Sequence, residues 1–497
     1  MTKVVIIGAG IAGLTCGIYA QLNGFDTHIY EMHSTPGGEC TGWDRGDYHF
    51  DGCIHWLIGS KPGTALHDIW RTTGALNDNV RIVNHDIFAR YEEGDRYVNL
   101  YTNADKLEKH LLEISPQDKK EIKRLCKALR VMGEFGMPVD KPMDKMTAGD
   151  GLRFAAKNIG KLGQLSFFNN MKLSDYVKLF KEPLLQHGIL GAIPGDYNAN
   201  ALVMSMAGMH VGDSGYPVGG SRALAKRMEQ RYIELGGKIS YKSRVEKIIV
   251  QDGSAKGIRL ASGEEVFGDI VISCADAYAT LYKMLDDKYT PDIYRSLFEN
   301  PKKHYVPTCS LVFLGINCNI KEPWRSVNIR REQPASLGGK IMPDVSLLNY
   351  SFDDTLAPKG KTVIGVFYSA DFDYWKDVHM DKEKYKQEKE RLRQDAIDVI
   401  LKRYPQAQGK IEVTDVVTPM TYVRYCDAWR GSWMSWGDSG KDIPRYFPGE
   451  LEGLKNFLLA GMWTLPPGGL PGAAGAGRFA AHRITESQGR EFKTRQN

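Results

Sequence analysis

A chain of 497 residues that is 42% hydrophobic and 25% charged has the composition of a globular protein, with room for two or three domains. A net charge of +5 over that length is too mild to argue for nucleic acid, and no run of 18 or more apolar residues is present to span a membrane. Eight cysteines without C-x-x-C or metal-ligand spacing suggest reduced, buried thiols in a cytosolic protein, and the apolar opening run lacks the basic flank and cleavage site of a signal peptide.

Residues 3–7 are a β-branched apolar run that predicts a buried parallel strand. Gly8-Ala9-Gly10-Ile11-Ala12-Gly13 follows, and residues 14–24 read as a helix. In such a turn Gly8 reverses the chain, Gly10 lets a pyrophosphate reach the backbone, and Gly13 brings helix and strand close. The helix N-terminus offers N–H groups and partial positive charge to the phosphates. Residues 25–30 predict the next strand. Glu31 closes it eighteen residues beyond Gly13, near the spacing of about 20 for an acid that takes a ribose hydroxyl. Strand, turn, helix and acid together predict a dinucleotide site.

A second glycine turn comes at Gly37-Gly38, then 47–59 predicts a strand ending in a loop, and 81–102 short antiparallel strands. Helix is expected to dominate 105–185, with Ile122, Leu125, Leu129 and Met132 on one side of an amphipathic stretch at 118–132. Residues 152–181 carry Arg153, Lys157, Lys161, Lys172, Lys178 and Lys181 against the single acid Asp175. A basic amphipathic segment of this kind is either a contact for an anionic membrane or a solvated helix face. Residues 212–220 read as a loop and 221–235 as a helix. Strands are expected at 238–241, 245–251, 255–260 and 269–273, re-entering the nucleotide-binding part, and further on at 306–316 and 361–368. A long charged helix covers 381–403. In the aromatic segment 416–436, Trp429, Trp433 and Trp436 stand at spacings of four and three. They fit a packed helical stripe or the wall of an apolar cavity.

Residues 457–461 repeat the strand-then-glycine arrangement and run into Pro466-Pro467-Gly468-Gly469-Leu470-Pro471-Gly472. Residues this small allow a second helix N-terminus to approach a flat ring or a phosphate. One nucleotide contacted from both chain ends points to FAD more than NAD. The expected fold is α/β: a Rossmann-like FAD-binding domain of the glutathione-reductase type (1–90, 212–285 and 411–490). It is interleaved with an α+β substrate-binding domain (91–211 and 286–410) carrying the helical insertion 105–185.

The fingerprint glycines with Glu31, the Gly37-Gly38 turn, Phe50-Asp51-Gly52, the strand block 237–276 and the terminal 467–472 motif together resemble the phytoene desaturase, carotenoid isomerase and retinol saturase family of FAD proteins. His55-Trp56-x-x-Gly59 and residues 421–436 look closest to the saturase and isomerase branch. The resemblance implies the amine-oxidase-like flavin fold and a non-covalent FAD. It places Glu31 on the adenosine ribose, Gly10 and Ala12 at the pyrophosphate, the Val245 backbone at the adenine, and Gly468, Gly469 and Leu470 beside the flavin ring. Gly8, Gly13, Gly37, Gly38, Gly461 and Met462 complete the cofactor set. Two residues depart from the family pattern. Glu39 follows the paired glycines, where an acid facing a pyrophosphate would be repelled, so its side chain is expected to point away. Met462 stands where many relatives carry aspartate.

Flavin chemistry explains why no nucleophile, metal cluster or carboxylate pair stands out, since the cofactor carries the reaction and the protein positions it. The expected activity is desaturation, saturation or cis–trans isomerisation of a carbon–carbon double bond in an apolar polyene, isoprenoid or unsaturated lipid. No metal and no nucleic acid are expected, and the protein is expected in the cytoplasm, either free or peripheral at a membrane through 152–181. His55, Arg424 and Tyr425 are the candidate catalytic residues. Two other readings stay open: a flavin amine oxidase, with Trp433 and Trp436 guiding an amine, and a non-catalytic isoprenoid-binding protein of the GDP-dissociation-inhibitor type.

Overall fold

The opening strand Lys3–Ile7 lies at the middle of a five-stranded parallel sheet, in the order Lys238–Ser240, Asp26–Tyr30, Lys3–Ile7, Ile270–Ser273, Phe457–Leu459. Val4 and Ile6 point into a core shared with Leu14 and Ile18 of the following helix, while Val5 and Ile7 point into another, shared with Val245 and Ile258 of an antiparallel three-stranded sheet. Both faces are covered, so the strand is apolar throughout rather than alternating. Two of its sheet partners come from residues 238–273 and one from 457–459. The sheet is therefore complete only when the two chain ends meet. The structure is a computed structural model that describes residues 1–495 apart from 134, 137 and 438–442, with the backbone alone at 162.

The helix Ile11–Leu22 packs beneath Gly220–Glu234 and the C-terminal helix Gly469–Ser487. The two chain ends approach so closely that a Cβ on Gly477 would stand 2.2 Å from the Ala12 carbonyl oxygen.

A second, seven-stranded sheet runs in the order Ile411–Val417, Cys309–Ile316, Thr362–Ser369, Lys340–Asn349, Ser326–Leu337, Ile87–Glu93, Arg96–Tyr101. The helix Lys382–Arg403 covers one face, laying Leu392, Ala396 and Ile400 against Val312, Val345, Leu347 and Val366. The sequence reading had no strands at 326–349, where the structure has a long hairpin. Its Arg330-Arg331-Glu332-Gln333-Pro334 stretch reads as loop, and the ladder does break between Arg330 and Ala335. The flanks are held by packing on the Lys382–Arg403 helix, which no local pattern announces. The expected loop at 212–220 likewise contains the strand Ser214–Pro217, which pairs with Leu57–Ile58 and Ile82–Val83 from elsewhere in the chain. The expected boundary at 411 also moves: Ile411–Val417 pairs along Cys309–Ile316 in the large sheet, and Ile87–Glu93 in the same sheet straddles the boundary at 90.

A helical layer packs against the Ile87–Glu93 and Arg96–Tyr101 end of the large sheet. Ile122, Leu125, Leu129 and Met132 of Lys119–Met132 are buried together with Phe168, Leu202 and Met206. The helix Ala148–Asn169 opens on a Thr147/Asp150 capping box. It is half uncovered: Asn158 and Phe168 are buried, whereas Leu152 is 72% and Ile159 78% exposed. Among the described residues no helix is long and apolar enough to cross a membrane.

Candidate flavin-binding site

The phosphate turn is set by the strand before it and the helix after it. The Gly8 N–H donates to the Tyr30 carbonyl at 2.8 Å, and the helix that follows starts at Gly10 with no side-chain cap, leaving its first N–H groups for a ligand. The Gly37 N–H donates to the Ala9 carbonyl at 2.8 Å, which seats the second glycine turn on the first. Gly13 lies beneath: a Cβ there would be 1.9 Å from the Gly8 carbonyl oxygen.

Glu31, 5% exposed, ends the second strand. Its two carboxylate oxygens accept from the Ala9 and His33 N–H groups, each at 2.7 Å. The acid thus ties the phosphate turn to the strand end, and each oxygen keeps a lone pair for a further donor. From the other chain end, the strand Phe457–Leu459 leads through Gly461 and Met462 to Gly468, where the C-terminal helix also begins without a side-chain cap. Met462 lies directly under Gly468, whose Cβ would meet the Met462 Cβ at 2.6 Å, so it supports the turn rather than offering a polar contact.

All these pieces face one cavity of ≈ 1810 Å³. Gly8, Gly10, Ala12, Glu31, Gly37, Gly38, Val245, Gly461, Met462, Gly468, Gly469 and Leu470 line it, and Gly13 alone of the sequence-predicted cofactor set does not. The volume exceeds the roughly 300–1,000 Å³ of an ordinary small-molecule pocket, leaving space for a second molecule beside a dinucleotide. The beginning of an uncapped helix over a floor without side chains, with a buried carboxylate one strand away, fits a flavin dinucleotide.

Glu39 departs from expectation. It lines the cavity instead of turning away from it, and burial, reinforced by Asp276, pushes its carboxyl up to about 8. A carboxyl held mostly protonated at neutral pH does not repel a phosphate. Asp276 itself accepts from the Ala279 and Trp429 N–H groups at 3.0 Å, yet burial still lifts it to about 6.

The three candidate catalytic residues do not converge. His55 lines the cavity, held neutral by burial and then by the charge of Arg325. Tyr425 stands at the rim, 43% exposed, edge-on to His33 at 5.1 Å. Arg424 is exposed, stacks its guanidinium on the Tyr425 ring at 5.2 Å, and does not line the cavity. The tryptophans divide as well. Trp436 is fully buried among Tyr294, Phe298, Phe447 and Trp463, Trp429 packs on Tyr278 and Phe298, and only Trp433 reaches the cavity wall. The chain there is a short 3-10 turn followed by irregular backbone, not a helix, so no stripe forms.

Sequence reasoning missed the cavity residues of the large sheet, among them Arg325, Asn328 and Ser346. They sit on or beside the hairpin 326–349, to which the sequence reading assigns no element. A lone arginine before an alternating run at 326–329 was the available signal.

The sequence profile described as flavin containing amine oxidoreductase matches residues 11–485. Similar proteins include a chloroplastic prolycopene isomerase from Daucus carota, 24% identical over 99% of this chain and 81% of its own. A neurosporene-forming phytoene desaturase from Rhodobacter capsulatus is 25% identical over 98% and 94%. An all-trans-retinol 13,14-reductase from Danio rerio is 26% identical over 92% and 82%. Among solved structures, a putrescine oxidase triple mutant redesigned in cofactor binding superposes with TM-score 0.62 at 13% identity, covering 98% of this chain and 99% of that one. The likeness of fold, the profile match and the paired glycine ends facing one crevice agree on a flavin cofactor and an oxidoreductase. The chain belongs to the flavin containing amine oxidoreductase family.

Proposed function

We propose that this protein holds one FAD without a covalent bond and acts on a carbon–carbon double bond of an apolar chain, by isomerisation, saturation or desaturation. The observation that carries this is the continuity of the cavity. From the glycine turns it runs into a compartment walled by Phe88, Met132, Phe135, Leu165, Leu190 and Met204, far larger than a dinucleotide alone requires. The relatives that act on polyenes and retinol support the same reading. When bound, a flavin supplies a hydride acceptor or donor at its ring. The chain's own part is to exclude water with that apolar wall and to keep protons on Glu39 and off His55. With Trp436 in the core, only Trp433 of the pair invoked for an amine remains at the wall, and the amine-oxidase reading loses half its support. Membership in an oxidoreductase family displaces the non-catalytic carrier.

The test is anaerobic reduction of the purified holoprotein, followed by a panel of carotenoids and unsaturated lipids watched at the flavin bands. Reoxidation by a lipid identifies saturation. Bleaching of the flavin by a polyene in a parallel anaerobic sample left oxidised identifies desaturation, and turnover of cis isomers without net flavin change identifies isomerisation. Heat denaturation is expected to release intact FAD into the supernatant. Reduction by amines with no response to any polyene would sink the proposal.

The helix Ala148–Asn169 is the proposed contact with a membrane. Arg153, Phe154, Lys157 and Asn158 line the cavity while Leu152 and Ile159 protrude, so the wall of the compartment is also an apolar, basic-flanked outer face. The holoprotein is expected to co-sediment with phosphatidylserine-containing vesicles. Leu152→Glu with Ile159→Glu should remove most of that binding while flavin content stays unchanged, and unaltered co-sedimentation would reject the contact.

A further inference from the structure

Arg325 is a buried charge without an ion pair among the described residues. It is 5% exposed and lines the cavity immediately before the strand Ser326–Leu337. Its Nε–H has no partner, its Nη2 makes a long hydrogen bond to the Ile54 carbonyl at 3.4 Å, and the Tyr350 hydroxyl is the other polar neighbour of the fork. The guanidinium stands 5.3 Å over the ring of Tyr350. No carboxylate among the described residues forms an ion pair with it. Asp51, which shares the neighbour Tyr350 with Arg325, is already satisfied by the Ser221 hydroxyl and N–H, the Tyr216 hydroxyl and the Cys53 N–H.

A buried charge costs several kcal/mol unless something pairs with it. A lysine escapes that cost by losing its proton, but a guanidinium does not. The surroundings sharpen the imbalance, because two histidines that feel its charge, His55 and His85, are both kept uncharged by burial and by Arg325 itself. The Nε2 of His85 has no hydrogen-bond partner, and His55 faces the cavity. Along the same strand, Asn328 is 5% exposed and already spends its amide on the Gly191 carbonyl at 2.9 Å and on the Ser346 hydroxyl. The cavity wall here thus holds a forked, permanently charged donor that no carboxylate among the described residues receives. Planar two-oxygen anions match that fork.

We propose that Arg325 anchors a carboxylate carried at one end of the substrate, so that the molecule taken by this protein is an unsaturated acid rather than a pure hydrocarbon. This rests on the reading of the cavity as a site for an unsaturated apolar chain, and it names the end group of that chain. His55, beside Arg325, is then at the carboxylate end and orients the head rather than handling protons at the reacting bond.

The experiment titrates FAD-loaded protein with arachidonic acid, its methyl ester, its alcohol, and acetate, following the flavin absorbance bands. A charge-assisted pair is expected to make the acid bind about tenfold to a hundredfold more tightly than the ester or alcohol, with acetate binding far more weakly than the acid. In Arg325→Met the ratio of acid to ester should fall to about one, and Arg325→Lys should restore part of it. Arg325→Gln provides a second neutral variant if the first fails to fold. Equal binding of acid and ester to the parent protein overturns the anchor and leaves the chain site standing. Acetate binding as tightly as the acid overturns it too, as a small-anion site. Loss of FAD from Arg325→Met with the acid preference intact assigns the guanidinium to the flavin instead. If neither acid nor ester perturbs the flavin bands, it is the proposed function that fails.

Discussion

Gly13→Ala yields a protein purified without its flavin. By helix propensity alone the change should stabilise the helix Ile11–Leu22 by about 1 kcal/mol. The new Cβ, however, would stand 1.9 Å from the Gly8 carbonyl oxygen and 3.1 Å from its carbon. Both are backbone atoms of the phosphate turn, so nothing flexible can give way. Overpacking of this kind costs about 1–3 kcal/mol or more, which outweighs the propensity gain, and the displacement falls on the turn whose N–H groups meet the phosphates. The ratio of flavin to protein absorbance after gel filtration is expected to drop at least about tenfold, where each tenfold in affinity corresponds to about 1.4 kcal/mol. Gly163→Ala, in the helix Ala148–Asn169 with no atom within 4 Å of the added carbon, should keep full flavin content. Stoichiometric flavin in Gly13→Ala would show that helix and strand are not packed as described.

Glu39→Gln is expected to flatten the fall in stability between about pH 5 and pH 8. Burial raises the folded-state carboxyl from 4.5 to about 8, so between those values the folded protein holds a proton that the unfolded chain has lost. The unfolded state then binds fewer protons, and stability declines as pH rises, by at most about 1.4 kcal/mol per pH unit from this group. The contribution is fully present below about 4.5 and gone above about 8. Glutamine keeps the shape of the protonated acid and does not titrate. Thermal unfolding of the variant should therefore match the parent near pH 5 and exceed it at pH 8. A shallower slope should persist up to about 6, where Asp276, shifted in the same direction, still loses its proton. Superimposable pH profiles would mean that Glu39 is ionised in the folded protein.

The protonation of Glu39 also shows where reading the chain stops. As a residue after two glycines it carried only the expectation of repulsion. Its neutrality comes from burial and from Asp276, which follows the strand Ile270–Ser273 paired in parallel beside Lys3–Ile7. The same limit separated His55 from Tyr425 and Arg424. Nothing in a list of plausible proton carriers says that one lies inside the compartment, one at its rim and one on the surface.

What the amino-acid sequence determined by itself were the features written in local covalent geometry and short periodicity. The strand, the Gly8/Gly10/Gly13 turn, the helix, Glu31, and the small-residue C-terminus were legible because only glycine permits those approaches and only β-branched runs fill a strand covered on both faces. The face of Lys119–Met132 was legible because helical spacing alone places Ile122, Leu125, Leu129 and Met132 together. Only the tertiary structure decided the hairpin 326–349, stabilised by the helix Lys382–Arg403 despite its polar Arg330 to Pro334 stretch. It alone sent Trp436 to the core and Trp433 to the wall, and it alone left Arg325 buried without an acid. Those outcomes depend on which distant surfaces meet and how much water they exclude, and burial energy and desolvation are properties of the assembled fold rather than of any segment.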